Sequence, residues 1–183
     1  MKYLPNLMTL SRIVSALALL PIHAFSQAFL VIYTYCGISD VLDGALARKL
    51  HCNDESGARL DSVADVVFYA VTIYKIFPVL CSKLTPLIWY IIAAAALIRI
   101  ISYATAAIKY RRFASLHTYM NKLTGFLVFT VPYILFLPFA KTACMIISVV
   151  AVLSAAEEIM IHASAGEYHA DRKTLFMPRG KDQ

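Results

Sequence analysis

The chain has 183 residues, of which 60% are hydrophobic, and its 17 Lys and Arg outnumber its 11 Asp and Glu. Soluble domains are usually about 45–50% apolar, so this composition argues against an ordinary soluble protein and indicates an integral membrane protein. The length suits one domain, and we predict a single membrane domain over residues 1–183 with a flexible cytoplasmic tail from about residue 165.

Apolar runs predict an all-α fold with six transmembrane helices, because each run approaches the roughly 17–25 residues that a bilayer crossing needs. Residues 2–8, with Pro5 at an early helical position, are predicted to form a short N-terminal surface helix. This start also resembles a signal peptide, but Arg12 interrupts it and we expect a retained first helix. The predicted spans are about 9–26, 27–49, 58–80, 84–109, 120–140 and 142–164.

Basic residues flank the predicted helices unevenly. If the N-terminus is cytoplasmic, 13 of the 17 lie on the cytoplasmic side, Arg99 lies within the fourth helix, and only Lys75, Lys83 and Lys141 lie outside. The positive-inside rule then places both termini and the loop at 50–57 in the cytoplasm. We therefore predict a multi-pass protein of the cytoplasmic membrane.

Four aspartates interrupt the helices near that cytoplasmic side. Asp40 and Asp43 are three residues apart and Asp61 and Asp65 are four apart, so each pair shares one face of its helix. A short loop joins the two helices, so we expect antiparallel neighbours whose acids meet across one groove. Such carboxylates repel one another unless a divalent cation offsets their charge, and oxygen ligands favour a hard ion such as Mg²⁺, Mn²⁺ or Ca²⁺. Four carboxylates are enough for two ions of the kind that clamp a phosphoryl transfer.

Small residues and one arginine accompany these acids. Gly44 and Ala47 leave room for a ligand or a neighbouring helix, Arg48 offers a planar fork suited to phosphate, and Gly57 lies one turn before Asp61. Taken singly, the small residues also suit helix packing and the arginine suits a headgroup anchor. A divalent-cation transporter would need the acids but not this whole set, which favours a phosphate-binding enzyme.

Together these residues resemble the signature of the CDP-alcohol phosphotransferases, D-x2-D-G-x2-A-R-x8-G-x3-D-x3-D. Every fixed position and spacing matches, at Asp40, Asp43, Gly44, Ala47, Arg48, Gly57, Asp61 and Asp65. The resemblance implies transfer of a substituted phosphate from a CDP-alcohol to a second alcohol, with release of CMP. It implies two divalent ions, Mg²⁺ or Mn²⁺, and a homodimer, because the family is usually dimeric.

The resemblance also implies residue roles. The first three aspartates of the motif would bind metal beside the diphosphate, and Asp65 would bind the second metal and act as general base. Gly44 and Arg48 would contact the CDP group, with Ala47 and Gly57 completing the site for the CDP-lipid.

The opening stretch LPNLMTLSRI, residues 4–13, resembles the P-N-x-L-T-x-x-R start of bacterial phosphatidylglycerophosphate synthases, with Met8 in place of the usual leucine. By analogy Asn6 and Thr9 approach the nucleotide, the alternative being a surface helix with a capping residue. This likeness favours CDP-diacylglycerol as donor and glycerol 3-phosphate as acceptor. Inositol phosphate, serine or a phospholipid stays open as the acceptor.

An acceptor that carries a phosphate needs a basic site of its own. Arg99 lies inside a predicted helix, where a charge is costly unless it serves a polar cavity, and Asn121 is predicted to face that cavity. Arg111 and Arg112 also suit headgroup anchors at the cytoplasmic side. Glu157 and Glu158 have no assigned role, and two alternatives stay open: an interfacial pair, or a partner for a basic residue of the cavity. The predicted acceptor site consists of Arg99, Arg111, Arg112, His117 and Lys122.

Overall fold

The structure, a computed structural model, describes residues 4–49, 55–110 and 118–164. Within those ranges the chain is helical apart from short connections, and no strand occurs there. The predicted all-α class with six helices is therefore confirmed for this part of the chain. In order, the helices are α1 Leu4–Ala18, α2 Gln27–Lys49, α3 Glu55–Lys83, α4 Pro86–Tyr110, α5 Tyr119–Ile134 and α6 Ala140–Ser164.

The first helix differs from its prediction. The predicted surface helix at 2–8 and the predicted span at 9–26 share one continuous helix, α1, because no helix-breaking residue lies between them. This helix ends at Ala18, well before residue 26. Pro21 disfavours helical geometry in the residue that precedes it, and Phe25 adopts a left-handed φ of 64° in the connection to α2.

Two other helix ends also differ from prediction. α3 was expected to stop near Pro78, but it continues to Lys83, since one missing backbone N–H is tolerated within a long helix. α5 was expected to reach residue 140, but it ends at Ile134 and a turn leads into α6. α5 begins where Thr118 caps it by accepting a hydrogen bond from the third helical backbone N–H.

Three helices contain a segment that is long and apolar enough to cross a membrane. These segments are Arg59–Lys83, Pro86–Tyr110 and Ala140–Ala163, and only the described residues were considered. α1 and α5, with 15 and 16 residues, are shorter than a typical span. The six predicted crossings are thus supported for three helices and stay a prediction for the others.

The described helices group into two compact units, and the first contains α1, α2 and α3 as far as Ser82. α1 packs along α2. The aromatic rings of Phe29 and Tyr33 stack at 6.1 Å, and Tyr33 contacts Phe68 of α3 at 5.5 Å between ring centroids. These buried rings fix α2 against α3. Tyr33 lies about two helical turns from Asp40, and Phe68 lies about one turn from Asp65.

The second unit begins at Lys83 and contains α4, α5 and α6. α6 packs against both other helices of this unit, with Ala155 and Ile161 buried. Large apolar or aromatic side chains, such as Tyr90 and Ile108, remain exposed on α4, as expected of a helix that faces lipid. The predicted single domain stays a prediction, and its tail from about residue 165 lies outside the described residues.

Candidate active site

Two helices of the first unit bring three aspartates together, as their spacing predicts. Asp40 lies on α2, and Asp61 and Asp65 lie on α3. One carboxylate oxygen of each lies within 4.8 Å of the other two. Since Mg²⁺ binds oxygen at about 2.0–2.1 Å, ligands on opposite sides of one ion are about 4.2 Å apart. The three side chains are 40–45% exposed, so a hard cation fits these donors with small rotations.

Asp43 has a different environment from the other three acids. Its side chain is only 5% exposed, and it accepts hydrogen bonds from Thr9 Oγ1 at 3.3 Å and from Arg12 Nη2. Thr9 is itself buried. The structure therefore places Asp43 on the inner side of the cluster, whereas the exposed opening is lined by Asp40, Asp61 and Asp65.

Arg12 lies in the middle of the acidic cluster, which the sequence analysis did not predict. Its side chain is 0% exposed. Nη1 lies 2.7 Å from Asp40 Oδ1, 3.1 Å from Asp61 Oδ1 and 2.8 Å from Asp65 Oδ1, and Nη2 pairs with Asp43. The available signal was that Arg12 interrupts an apolar run, the same signal that singled out Arg99. The sequence analysis used Arg12 as a cytoplasmic charge, as an argument against a signal peptide and as the last residue of the P-N-x-L-T-x-x-R stretch, but it did not place Arg12 beside the aspartates.

The electrostatic balance of the cluster still favours a metal ion. With all four carboxylates ionised, one guanidinium leaves a formal excess of three negative charges. Like charges at this distance disfavour one another's ionised form, and a divalent cation offsets that repulsion. The chemistry of the donor set, all carboxylate oxygen, suits Mg²⁺ or Mn²⁺.

Two residues predicted to bind the CDP-lipid meet beside this cluster. A Cβ atom added to Gly57 would lie 3.0 Å from Asn6 Oδ1, so α1 and α3 approach each other closely there. Gly44, Ala47 and Arg48 lie in the last turns of α2, and the structure describes them as backbone only. The proximity of Asn6 and Gly57 explains why glycine suits position 57.

Substituting Gly57 by valine is expected to raise the KM for the CDP-lipid donor about tenfold. The added carbons displace the Asn6 side chain, and overpacking of this kind usually costs about 1–3 kcal/mol. Steady-state kinetics with the donor varied is the measurement. Gly125→Val is the matched control, because an added Cβ there has no neighbour within 4 Å. Equal donor KM values for the two variants would remove Gly57 from the donor site.

The predicted acceptor residue Arg99 takes part in a polar network of the second unit. Nη1 donates to Asn121 Oδ1 at 2.8 Å and to Glu158, and Nη2 lies 3.4 Å from Ser154 Oγ. Asn121 Nδ2 also donates to Glu158 Oε2 at 3.2 Å. The network ties α4, α5 and α6 together, and it pairs Glu158 with a basic residue, which is one of the two alternatives left open by the sequence.

The other predicted acceptor residues are not gathered by the described structure. Lys122 is exposed on the first turn of α5. Arg111, Arg112 and His117 lie outside the described residues. The acceptor site as a whole therefore stays a prediction.

Comparison with known proteins shows which family this chain belongs to. The chain is 41% identical over 64 residues to a protein of Schizosaccharomyces pombe named cardiolipin synthase (CMP-forming) / mitochondrial hydrolase fusion protein. That segment is 34% of this chain but only 11% of the relative, and no solved structure matches. The sequence model of the CDP-alcohol phosphatidyltransferase family matches residues 2–154, which is most of the chain. The chain therefore belongs to the CDP-alcohol phosphatidyltransferase family, whose metal-dependent members transfer a phosphatidyl group from a CDP-alcohol and release CMP.

Proposed function

We propose that this protein transfers the phosphatidyl group of CDP-diacylglycerol to glycerol 3-phosphate, giving phosphatidylglycerophosphate and CMP. The observation that carries the reaction class is the cluster of Asp40, Asp61 and Asp65, whose carboxylates converge at an exposed opening within the family motif. The choice of acceptor rests on the opening stretch at residues 4–13 and on the basic residues predicted for the acceptor site.

Asp65 supplies the base in this proposal. The acceptor hydroxyl loses its proton to the Asp65 carboxylate as its oxygen forms a bond to the phosphatidyl phosphorus, and the bond from that phosphorus to CMP breaks. Asp40, Asp61 and Asp65, with Asp43 as a predicted further ligand, would hold a divalent cation, which would supply positive charge to offset that of the diphosphate and of CMP as it leaves. Asn6 and Gly57, which approach each other closely, are proposed to orient the donor nucleotide.

A phospholipid hydroxyl is the second candidate acceptor. One observation is the name of the relative in Schizosaccharomyces pombe, a CMP-forming cardiolipin synthase. The other is the ion pair between Arg99 and Glu158, whose carboxylate is 0% exposed and offsets the arginine charge. A neutralised Arg99 attracts a dianionic phosphate less strongly than a free arginine would. Membership of the enzyme family argues against the alternative of a divalent-cation transporter.

The acceptor is tested by kinetics in detergent with glycerol 3-phosphate, phosphatidylglycerol and serine. Glycerol 3-phosphate is expected to give the highest kcat/KM. Replacing Arg99 alone would remove the guanidinium that offsets the buried charge of Glu158, so the informative variant is Arg99→Ala combined with Glu158→Gln. It should raise the KM for glycerol 3-phosphate by about 10- to 100-fold, since a charge-assisted hydrogen bond contributes about 1.5–3 kcal/mol.

Glu158→Gln alone is the matched control, because it keeps Arg99. If the double variant leaves the acceptor KM unchanged, or if phosphatidylglycerol is the better substrate, glycerol 3-phosphate is the wrong acceptor. The reaction class survives that outcome because it depends on the aspartates.

We further propose that the protein is a homodimer in the cytoplasmic membrane, with its active site and both termini on the cytoplasmic side. The distribution of the basic residues supports the orientation. The usual state of the family supports the dimer. Reporter fusions at the C-terminus and the protein mass in detergent test these two statements.

A further inference from the structure

Arg12 is an unusual neighbour for a set of metal-binding carboxylates. It comes from α1, whereas the four acids come from α2 and α3. Its guanidinium is fully buried and contacts all four carboxylates. Arginine remains positively charged at every pH at which proteins function. A permanent cation therefore lies among the oxygens that a divalent ion would use.

The hydrogen bonding of Arg12 is crowded on one nitrogen and incomplete on another. Nη1 has two N–H groups, yet three aspartate oxygens, one each from Asp40, Asp61 and Asp65, lie within 3.1 Å of it. Nε is buried and has no hydrogen-bond partner among the described residues. A buried donor without a partner lowers stability. The guanidinium is therefore held mainly by charge, in a position that does not satisfy all of its donors.

The two nitrogen groups of Arg12 face different acids. Nη1 contacts the three aspartates whose oxygens converge within 4.8 Å, and Nη2 contacts the buried Asp43. An ion bound by Asp40, Asp61 and Asp65 would coordinate the same carboxylate oxygens that accept hydrogen bonds from Nη1. Nη2 and Thr9 both contact Oδ2 of Asp43, so this pair is compatible with Asp43 Oδ1 as the predicted further ligand of such an ion.

We propose that Arg12 is an internal counter-ion that competes with the divalent cation for Asp40, Asp61 and Asp65, and so sets the affinity of the metal site. The inference rests on the metal dependence in the proposed function. Without an ion, Arg12 keeps the mutually repelling carboxylates together and so holds α1 against α2 and α3. When an ion binds, Nη1 gives up its three acceptors while Nη2 keeps Asp43.

Metal binding tests this directly, without any measurement of catalysis. The full-length protein in detergent is stripped with chelator and titrated with Mn²⁺, with the free ion followed by electron paramagnetic resonance. Arg12→Gln is expected to bind Mn²⁺ about tenfold more tightly than the unmodified protein, because charge-assisted hydrogen bonds no longer oppose binding. Arg12→Lys should lie between the two, since a compact ammonium has fewer donors than the guanidinium fork.

A second measurement separates competition from a general loss of positive charge. Arg59→Gln removes an exposed cation from α3, two residues before Asp61, and is expected to change the Mn²⁺ affinity by less than about threefold because exposed charges are screened. In excess chelator the melting temperature of Arg12→Gln should fall below that of the unmodified protein. Added Mn²⁺ should then raise it by more than it raises the unmodified protein.

Equal or weaker Mn²⁺ binding by Arg12→Gln, in protein that elutes as a folded species, would overturn the proposal and make Arg12 a supporting residue of the metal site. If the glutamine variant does not fold, Arg12→Lys decides, and unchanged or weaker binding by that variant overturns the proposal equally. Because binding is read without turnover, a change in metal affinity stands even if the proposed acceptor or reaction proves wrong.

Discussion

Replacement of Asp65 by asparagine is expected to lower kcat for CMP release by about 10²- to 10⁴-fold, the usual contribution of a positioned general base. The amide has nearly the same shape as the carboxylate but cannot accept the hydroxyl proton. Binding of CDP-diacylglycerol should persist, because the other three aspartates remain. Turnover is measured as CMP release, and donor binding is measured separately by calorimetry.

Asp65 also contacts Arg12 and is one of the three converging aspartates, together with Asp40 and Asp61. The activity of Asp65→Asn is therefore compared with that of two other variants. Asp61→Asn removes a predicted metal ligand without removing the proposed base, and a higher Mn²⁺ concentration should restore part of its activity. The same increase should not restore Asp65→Asn. Asp54→Asn makes the same chemical change at a variable position of the motif and should be silent. Turnover of Asp65→Asn within a few-fold of the unmodified enzyme would exclude Asp65 as the base.

Removal of divalent ions is expected to lower CMP release by at least about 10²-fold. Metal ions contribute several kcal/mol to reactions that develop charge on phosphoryl oxygens, and here the acids carry a formal excess of three negative charges over Arg12. Activity is measured in excess chelator and again after Mg²⁺ or Mn²⁺ is returned, which should restore it.

Chelator that has been saturated with Mg²⁺ beforehand is the control for effects of the chelator itself. Residual metal is measured by elemental analysis. Full turnover in protein shown to be free of divalent ions would contradict the role assigned to Asp40, Asp61 and Asp65.

Much of the acidic cluster is predictable because helical geometry is local. The three- and four-residue spacings place each aspartate pair on one helix face, and a short connection places the two helices side by side. The structure accordingly brings Asp40, Asp61 and Asp65 together. The burial of Asp43 is not predictable in this way, because it depends on Thr9 and Arg12 from a third helix.

Partners that are distant in sequence account for the rest of what was missed. Arg12 contacts acids that are 28 to 53 residues away, and no local pattern in α1 specifies which helix face it meets. Arg99 and Glu158 were each recognised as unusual charges in an apolar setting, but they are 59 positions apart and no local pattern assigns them to each other. Such charges require a partner in the membrane, but hydropathy does not identify it.

Helix ends were the weakest part of the prediction for a related reason. Residues 19–26 are mostly apolar, so a hydropathy window extends the first helix through them. The chain leaves the helix at Ala18, shortly before Pro21 restricts the backbone, and Phe25 adopts a left-handed φ in the connection that follows. Hydropathy measures which residues avoid water, and it does not measure which backbone angles they adopt.

The central claim is that this protein catalyses phosphatidyl transfer at the cluster formed by α2 and α3. Its most direct test is the stoichiometry of products from purified protein in detergent, given Mg²⁺, CDP-diacylglycerol with a labelled phosphatidyl group, and one hydroxyl acceptor at a time. The account predicts that each CMP released is matched by one labelled lipid in which the acceptor is joined through a new phosphodiester. Release of CMP without such a lipid, or no CMP with any of the acceptors, would contradict it.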